Sequence, residues 1–250
     1  MHINDIATYA NGKIMHIAFL DTNTDRSPFG LSHPKECDKF RALLQPFAPD
    51  WTYDDYYAPD GAFPADLSAY DGVMISGSVA SVNDPDPWVA QLLDTIRTAV
   101  AAQVPVFGAC FGHQAIAKAM GGTVSANPQG WVLGRYETHN HAPAPWMDTA
   151  PGPMALHAAH KEQVTTPPEG FTILAGTEAV PNGHMAMGRG VFSTQYHPEL
   201  DRDFMLELFG EMTEITTTAV LDKARSGMTG AVDGARMAQW VVAFFQQAKS

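Results

Sequence analysis

Short apolar runs bounded by turn residues recur through the first part of the chain, at Ile14–Leu20, Gly72–Ile75 and Val104–Ala109. They are apolar at successive positions, not alternate ones, as strands buried on both faces of a parallel sheet are. Between them the apolar spacing becomes helical. It predicts helices over Lys35–Phe47, after Pro34, and over Trp88–Ala102, after Asp86-Pro87, where an aspartate cap precedes a proline at the first helical position. A third helix is expected just behind Cys110, running to about Met120, where Gly121-Gly122 stops it. Strand and helix alternating in this order predict an open, doubly wound α/β sheet.

The pattern changes after Thr123. From there to Tyr196 the chain is rich in glycine, proline and short β-like runs: Trp131–Thr138, Met154–His157, Phe171–Ala175 and Val191–Tyr196. An antiparallel sheet or hairpins packed against the parallel core are expected. Helical spacing returns over Arg202–Ser226 and Ala231–Lys249, separated by Gly227–Gly230. No repeat, low-complexity run or linker divides the chain, so residues 1–250 are expected to form one domain. Met15 opens a natural first strand, which makes residues 1–13 a loose N-terminal extension and residues 227–250 a C-terminal helical one.

Composition narrows the partners. A chain of 250 residues, 45% apolar, can bury a sizeable core. Its formal net charge is -12 and it has no basic run, so neither nucleic acid nor a membrane surface is an expected partner. It has 2 cysteines, Cys37 and Cys110, too few for a disulfide framework in a chain this long. There is no signal-like start and no apolar run of membrane-spanning length, and a cytoplasmic location is expected.

Two segments carry chemistry. Val104-Pro-Val-Phe-Gly108-Ala-Cys110-Phe-Gly112-His-Gln114 reads as a strand, a glycine-flanked turn bearing a thiol, and a helix start. Small residues relieve the crowding of such a turn, and the free N–H groups of the helix start favour a thiolate. The amide of Phe111 is the natural donor to a developing oxyanion, and Gly77, in Ser76-Gly77-Ser78 behind an apolar strand, is the candidate for a second. Further along, Thr194-Gln-Tyr-His197-Pro-Glu199 ends another strand on an imidazole and a carboxylate two positions apart. Period-2 geometry can put both on one side, where the carboxylate orients the ring. Thiol, base and orienting carboxylate are the parts of nucleophilic acyl transfer.

At these motifs the chain resembles the class I, triad-type glutamine amidotransferases. The match rests on Gly108-x-Cys110-x-Gly112-x-Gln114 and Gln195-Tyr-His197-Pro-Glu199, with weaker marks at Ile75-Ser-Gly-Ser78, Gly130-Trp131 and His160-Lys-Glu-Gln-Val164. The resemblance implies a flavodoxin-like domain: an open, mostly parallel sheet with helices on both faces, a small antiparallel β region and C-terminal helices. It implies Cys110 as nucleophile, His197 as base and Glu199 orienting it, with the Gly77 and Phe111 amides as oxyanion hole. The implied substrate contacts are Ser78, Gly112, Gln114, Trp131 and His160. The implied reaction is hydrolysis of the glutamine side-chain amide through a γ-glutamyl thioester, with no cofactor or metal. No P-loop or synthase domain accompanies it, so the chain is similar to stand-alone members related to the glutaminase domain of GMP synthase.

Some of that branch resemble γ-glutamyl peptidases, the first alternative. Another is a regulatory subunit silent until a synthetase or other ammonia-accepting partner docks, and a third is a redox sensor built on Cys110. Where stand-alone members read His-x-Asp, this chain reads His160-Lys-Glu162, one methylene longer. His113 is a second imidazole near Cys110, read as a helix-face residue and not the base. His157, His160, His139 and His141 cluster in sequence but lack the ligands to complete a metal site. Cys37 reads as a packing residue, as does the Trp240–Phe245 stripe, which is helix core or interface.

Overall fold

The two-sided apolar runs do become the middle of a parallel sheet. A computed structural model of the chain describes residues 13–148 and 152–248. Among the described residues eleven strands and seven α-helices follow in order, and strands and helices alternate as expected as far as the fourth helix, in the first half of the chain. β1 (His16–Asp21), β2 (Thr52–Tyr57), β3 (Gly72–Ile75) and β4 (Val106–Ala109) are parallel. β5 (Thr123–Ala126), β6 (Val132–Asn140), β7 (Met154–His160), β8 (Glu162–Thr166), β9 (Thr172–Gly176), β10 (His184–Met187) and β11 (Val191–Thr194) follow. The main sheet has nine strands in the order β2-β1-β3-β4-β11-β10-β9-β6-β7. The β-rich second half therefore does not pack on the parallel core as a separate layer. It returns through β11, which pairs parallel to β4, and continues the same sheet through antiparallel β10, β9, β6 and β7. Only β5 and β8 form a separate antiparallel pair.

Helices cover both faces. Alternation sends Ile17 and Phe19 of β1 to one side, where α2 (Glu36–Leu44) and α7 (Gly234–Ala248) pack, and Ala18 and Leu20 to the other, against α3 (Pro87–Ala101) and α4 (Phe111–Ala119). A short α1 (Pro28–Ser32), capped by the Ser27 hydroxyl, precedes α2. Cys37 thus lies in the second helix of the chain. β2 carries Asp54 and Asp55 and pairs on one side only, as an edge strand that resists further pairing does.

Two expectations about the C-terminal part change. The helix expected over Arg202–Ser226 is broken. α5 (Arg202–Glu211) gives way to a 3₁₀ turn at Met212–Glu214, and α6 (Thr218–Gly227) restarts behind the Thr217 side-chain cap. Consecutive Thr216, Thr217 and Thr218 offer the backbone hydroxyl partners that favour a cap over a continued helix. The last helix, in turn, is not an appendage. α7 buries Met237, Trp240, Val241, Phe244 and Phe245 in the larger cluster, and a Cβ on Gly72 would lie 2.3 Å from the Phe245 ring. The N-terminal extension proposed for residues 1–13 lies, but for Lys13, outside the described residues. Among the described residues no helix is long and apolar enough to cross a membrane.

Phe244 meets Trp146, Phe192 and Phe245, so it ties α7 to the sheet. Replacing it with alanine is expected to cost about 3–5 kcal/mol of stability, read from the urea midpoint; a loss below about 1 kcal/mol contradicts this packing.

Candidate active site

Three neighbouring parallel strands bring their carboxyl ends together: β3, β4 and β11. β3 runs into Ser76-Gly77, β4 into Cys110, and β11 into Gln195-Tyr-His197-Pro-Glu199. Their register sets Ile75 beside Gly108 and Ala109 beside Thr194, so the three continuations start at one level. Ligand sites of open α/β sheets lie at this end of the strands.

Cys110 makes the corner with φ 48° and ψ -102°. A non-glycine residue enters this region at a cost of about 1–3 kcal/mol and stays only where its surroundings over-determine it. Here its N–H donates to the Thr194 carbonyl at 2.8 Å, and α4 begins at the next residue. The two glycines permit close approach. A Cβ on Gly108 would lie 2.6 Å from the Gly112 carbonyl carbon, and one on Gly112 would lie 2.5 Å from the Ile75 oxygen.

Two amides flank the thiol. The Phe111 N–H, at the first position of α4, has no intrahelical acceptor, and neither it nor the Gly77 N–H donates to a protein group among the described residues. Thr22, at the end of β1, holds the loop carrying Gly77: its N–H donates to the Ser76 hydroxyl at 2.8 Å and its own hydroxyl to the Gly77 carbonyl at 3.2 Å. Gly77 has room for nothing larger, since a Cβ there would lie 2.9 Å from His197 Cε1 and 3.6 Å from Cys110 Cβ.

His197 is anchored from two sides. Its N–H donates to the His157 carbonyl at 2.8 Å, and its Nδ1 lies 2.7 Å from Oε1 of Glu199, whose side chain is fully buried. The carboxylate can only accept, so Nδ1 carries a proton and Nε2 is left for other work. Burial opposes charge on this ring, but attraction to Cys110 and Glu199 prevails and holds its pKa well above the ordinary histidine value. Nε2 is buried and makes no hydrogen bond among the described residues.

The remaining expected contacts surround a cavity of about 350 Å³ that reaches Cys110: Ser78, Gln114, Trp131 and His160 all line it. Gly112 does not. Its N–H is bonded to the Ser76 carbonyl at 3.1 Å, and its part is to let α4 approach β3. The Gln114 amide donates to the Glu162 carbonyl at 2.8 Å and to Gln195 Oε1 at 3.2 Å, and Gln195 in turn reaches Cys110 Sγ at 3.7 Å. His160 Nδ1 bonds the Glu162 backbone carbonyl, whereas the longer Glu162 side chain turns away to Ser81 and Asn83. His113 is fully buried and bonds the Ser193 hydroxyl at 2.9 Å, a core role. Burial pushes the Cys37 thiol up to about 12, which suits a packing residue. Among the described residues no group of three or more metal-ligating side chains is assembled.

Thr22 and Gln195 escaped the sequence reading as site residues. Gln195 stands in Gln195-Tyr-His197-Pro-Glu199, one residue beyond the pairing of Thr194 with Ala109, which brings it beside Cys110. Thr22 sits next to the last residue of β1, a position with no signal of its own.

Residues 54–203 match the family described as glutamine amidotransferase class-I. The chain belongs to that family. Among its relatives, gamma-glutamyl peptidase 5 of Arabidopsis thaliana is 27% identical over 202 residues, which span 77% of this chain and 80% of that protein. A glutamine-hydrolyzing GMP synthase of Porphyromonas gingivalis is 29% identical over 150 residues, 60% of this chain but 28% of the synthase. The fold is that of a glutamine amidotransferase structure from Thermotoga maritima, with a TM-score of 0.69 at 17% identity over 94% of this chain and 98% of that one. The α/β architecture expected from the sequence is therefore the family's own.

The buried histidines give this chain a pH signature. Burial pushes His113, His160 and His184 down to about 3, so they stay neutral in the folded chain while the unfolded chain takes up protons below the ordinary value of 6.5. Stability is therefore expected to fall as pH drops below 6.5, with a limiting slope of about 4 kcal/mol per pH unit for three protons. His197 acts in the opposite sense: its contribution is complete below 6.5 and is lost as pH rises through its raised value. Urea midpoints between about pH 7.5 and about pH 5 test this, and a flat profile contradicts it.

Proposed function

We propose that this protein hydrolyses the γ-amide bond of glutamine or of a γ-glutamyl amide through a γ-glutamyl thioester on Cys110. The observation that carries this reading is the meeting of Cys110, the His197–Glu199 pair at 2.7 Å and the amides of Gly77 and Phe111 at the ends of adjacent strands. Family membership supports the same reaction class. Relatives named γ-glutamyl peptidase and GMP synthase both point to chemistry at the γ-carbonyl of a glutamyl group.

In this mechanism Cys110 Sγ, as thiolate, adds to the γ-carbonyl carbon, and the oxygen takes up negative charge facing the Gly77 and Phe111 N–H groups. Collapse breaks the carbon–nitrogen bond as protonated His197 gives its Nε2 proton to the leaving nitrogen. Water then adds to the thioester with His197 Nε2 accepting its proton, and glutamate leaves as Cys110 is regenerated. Glu199 keeps the ring in the tautomer this sequence requires. The glutamyl head, with its ammonium and carboxylate, meets the polar side of the cavity at Ser78, Gln114 and His160, with Trp131 beside them.

Glutamate release, measured with glutamine and with a γ-glutamyl dipeptide in parallel, tests the reading. Cys110→Ser is expected to lose about a thousandfold or more, and Glu199→Gln about a hundredfold or more, in kcat/KM. A Cys110→Ser protein that retains wild-type turnover refutes the mechanism. Release that appears only when cell extract is added favours the partner-dependent alternative. Thr22→Val, which removes the hydroxyl clamp under Gly77, is expected to lower kcat about tenfold while KM stays within about twofold. An effect confined to KM would mean that Thr22 serves substrate binding instead.

A further inference from the structure

The cavity at Cys110 is walled by two kinds of chemistry. Ser78, Ser81, Gln114, His160 and Lys161 are polar; Val79, Trp131, Leu208, Met212 and Ile215 are apolar. Leu208, Met212 and Ile215 come from α5 and the turn behind it, at spacings of four and three that put them on one helical face. Met212 belongs to the cluster formed with Leu133, Met205 and Phe209, and Trp131 and Leu208 pack against it. The apolar wall is thus the open margin of a packed core. Val79 is 70% exposed and Ile215 60%, and the other large apolar side chains exposed among the described residues, Ile14 and Leu31, do not line this cavity.

A glutamyl head is polar at both its ammonium and its carboxylate, and neither gains from an apolar wall. Ammonia, the leaving group of glutamine, is small and polar and would leave that wall in water. What remains is the group on the leaving nitrogen. A protein face is a poorer occupant: a stable interface buries about 800 Å² on each partner, and the apolar residues here are gathered into a concave site of ligand size.

We propose, resting on the cysteine-hydrolase reading above, that Val79, Trp131, Leu208, Met212 and Ile215 form a leaving-group subsite. It would take γ-glutamyl amides whose nitrogen carries an apolar substituent, such as an aromatic or branched aliphatic amino acid. Water adds across the γ-carbonyl carbon–nitrogen bond, the carbon keeping the hydroxyl as glutamate and the nitrogen leaving as the free amine of the apolar residue.

The test compares γ-glutamylphenylalanine with γ-glutamylglycine and glutamine, in the wild type and in the double variant Val79→Ser, Ile215→Ser. Both positions are exposed, so the fold tolerates the change. In the wild type, kcat/KM for γ-glutamylphenylalanine is expected to exceed that for γ-glutamylglycine by about tenfold or more, and the double variant to bring the ratio within about threefold. Binding of the same two dipeptides to Cys110→Ala, by calorimetry, reads the subsite without turnover and should show the same preference. Preferential binding without any Cys110-dependent turnover would sink the hydrolase reading and uphold the subsite. Turnover at equal rates on the two dipeptides, or a preference that survives the double variant, overturns the subsite and leaves the apolar wall to a protein partner.

Discussion

Aiming a side chain out of a strand that turns directly into a helix requires dihedrals that a residue with a Cβ resists. Cys110 holds such dihedrals, and three neighbouring elements hold the turn in place. β11 fixes its N–H, β3 presses on Gly112, and Gly108 lies against the first turn of α4. The price of that corner is met by the packing of the sheet centre, where Phe107, Phe192 and α7 close one face and α3 and α4 the other. An alteration that loosens the sheet centre should therefore be felt at the thiol.

The same burial that fixes the corner sorts the histidines. His113, His160 and His184 bond the Ser193 hydroxyl, the Glu162 backbone carbonyl and the Thr138 hydroxyl, not a carboxylate, and are held neutral by desolvation. His197 is also buried, yet Glu199 on one nitrogen and Cys110 near the ring reverse the outcome. A buried ring so partnered can carry a proton where the other three stay neutral, which is what the proposed mechanism asks of it.

Much of this was legible in the chain itself. The runs at Ile14–Leu20, Gly72–Ile75 and Val104–Ala109 could be read because buried parallel strands have no polar side to disguise them. β2 could not, because an edge strand such as Thr52–Tyr57 is polar by necessity, and β10 is too short to show a period. Cys110, His197 and Glu199 were readable because the tight turn and the strand end leave local marks. Thr22 leaves none, since its clamp on Gly77 arises from strand adjacency across more than fifty residues. The apolar wall was hidden for the same reason: Val79, Trp131 and Ile215 become neighbours only when β3, β6 and the segment after α5 are assembled.

The central claim is a covalent one, a γ-glutamyl group carried by Cys110. Mixing the protein with an excess of γ-glutamyl substrate, quenching in acid within the first turnover and mapping the peptides by mass spectrometry tests it directly. The expected result is a γ-glutamyl adduct on the peptide containing Cys110, absent from Cys37 and absent from protein quenched without substrate. Continued glutamate release with no adduct at Cys110 under any quench time, or an adduct on Cys37 instead, would contradict it.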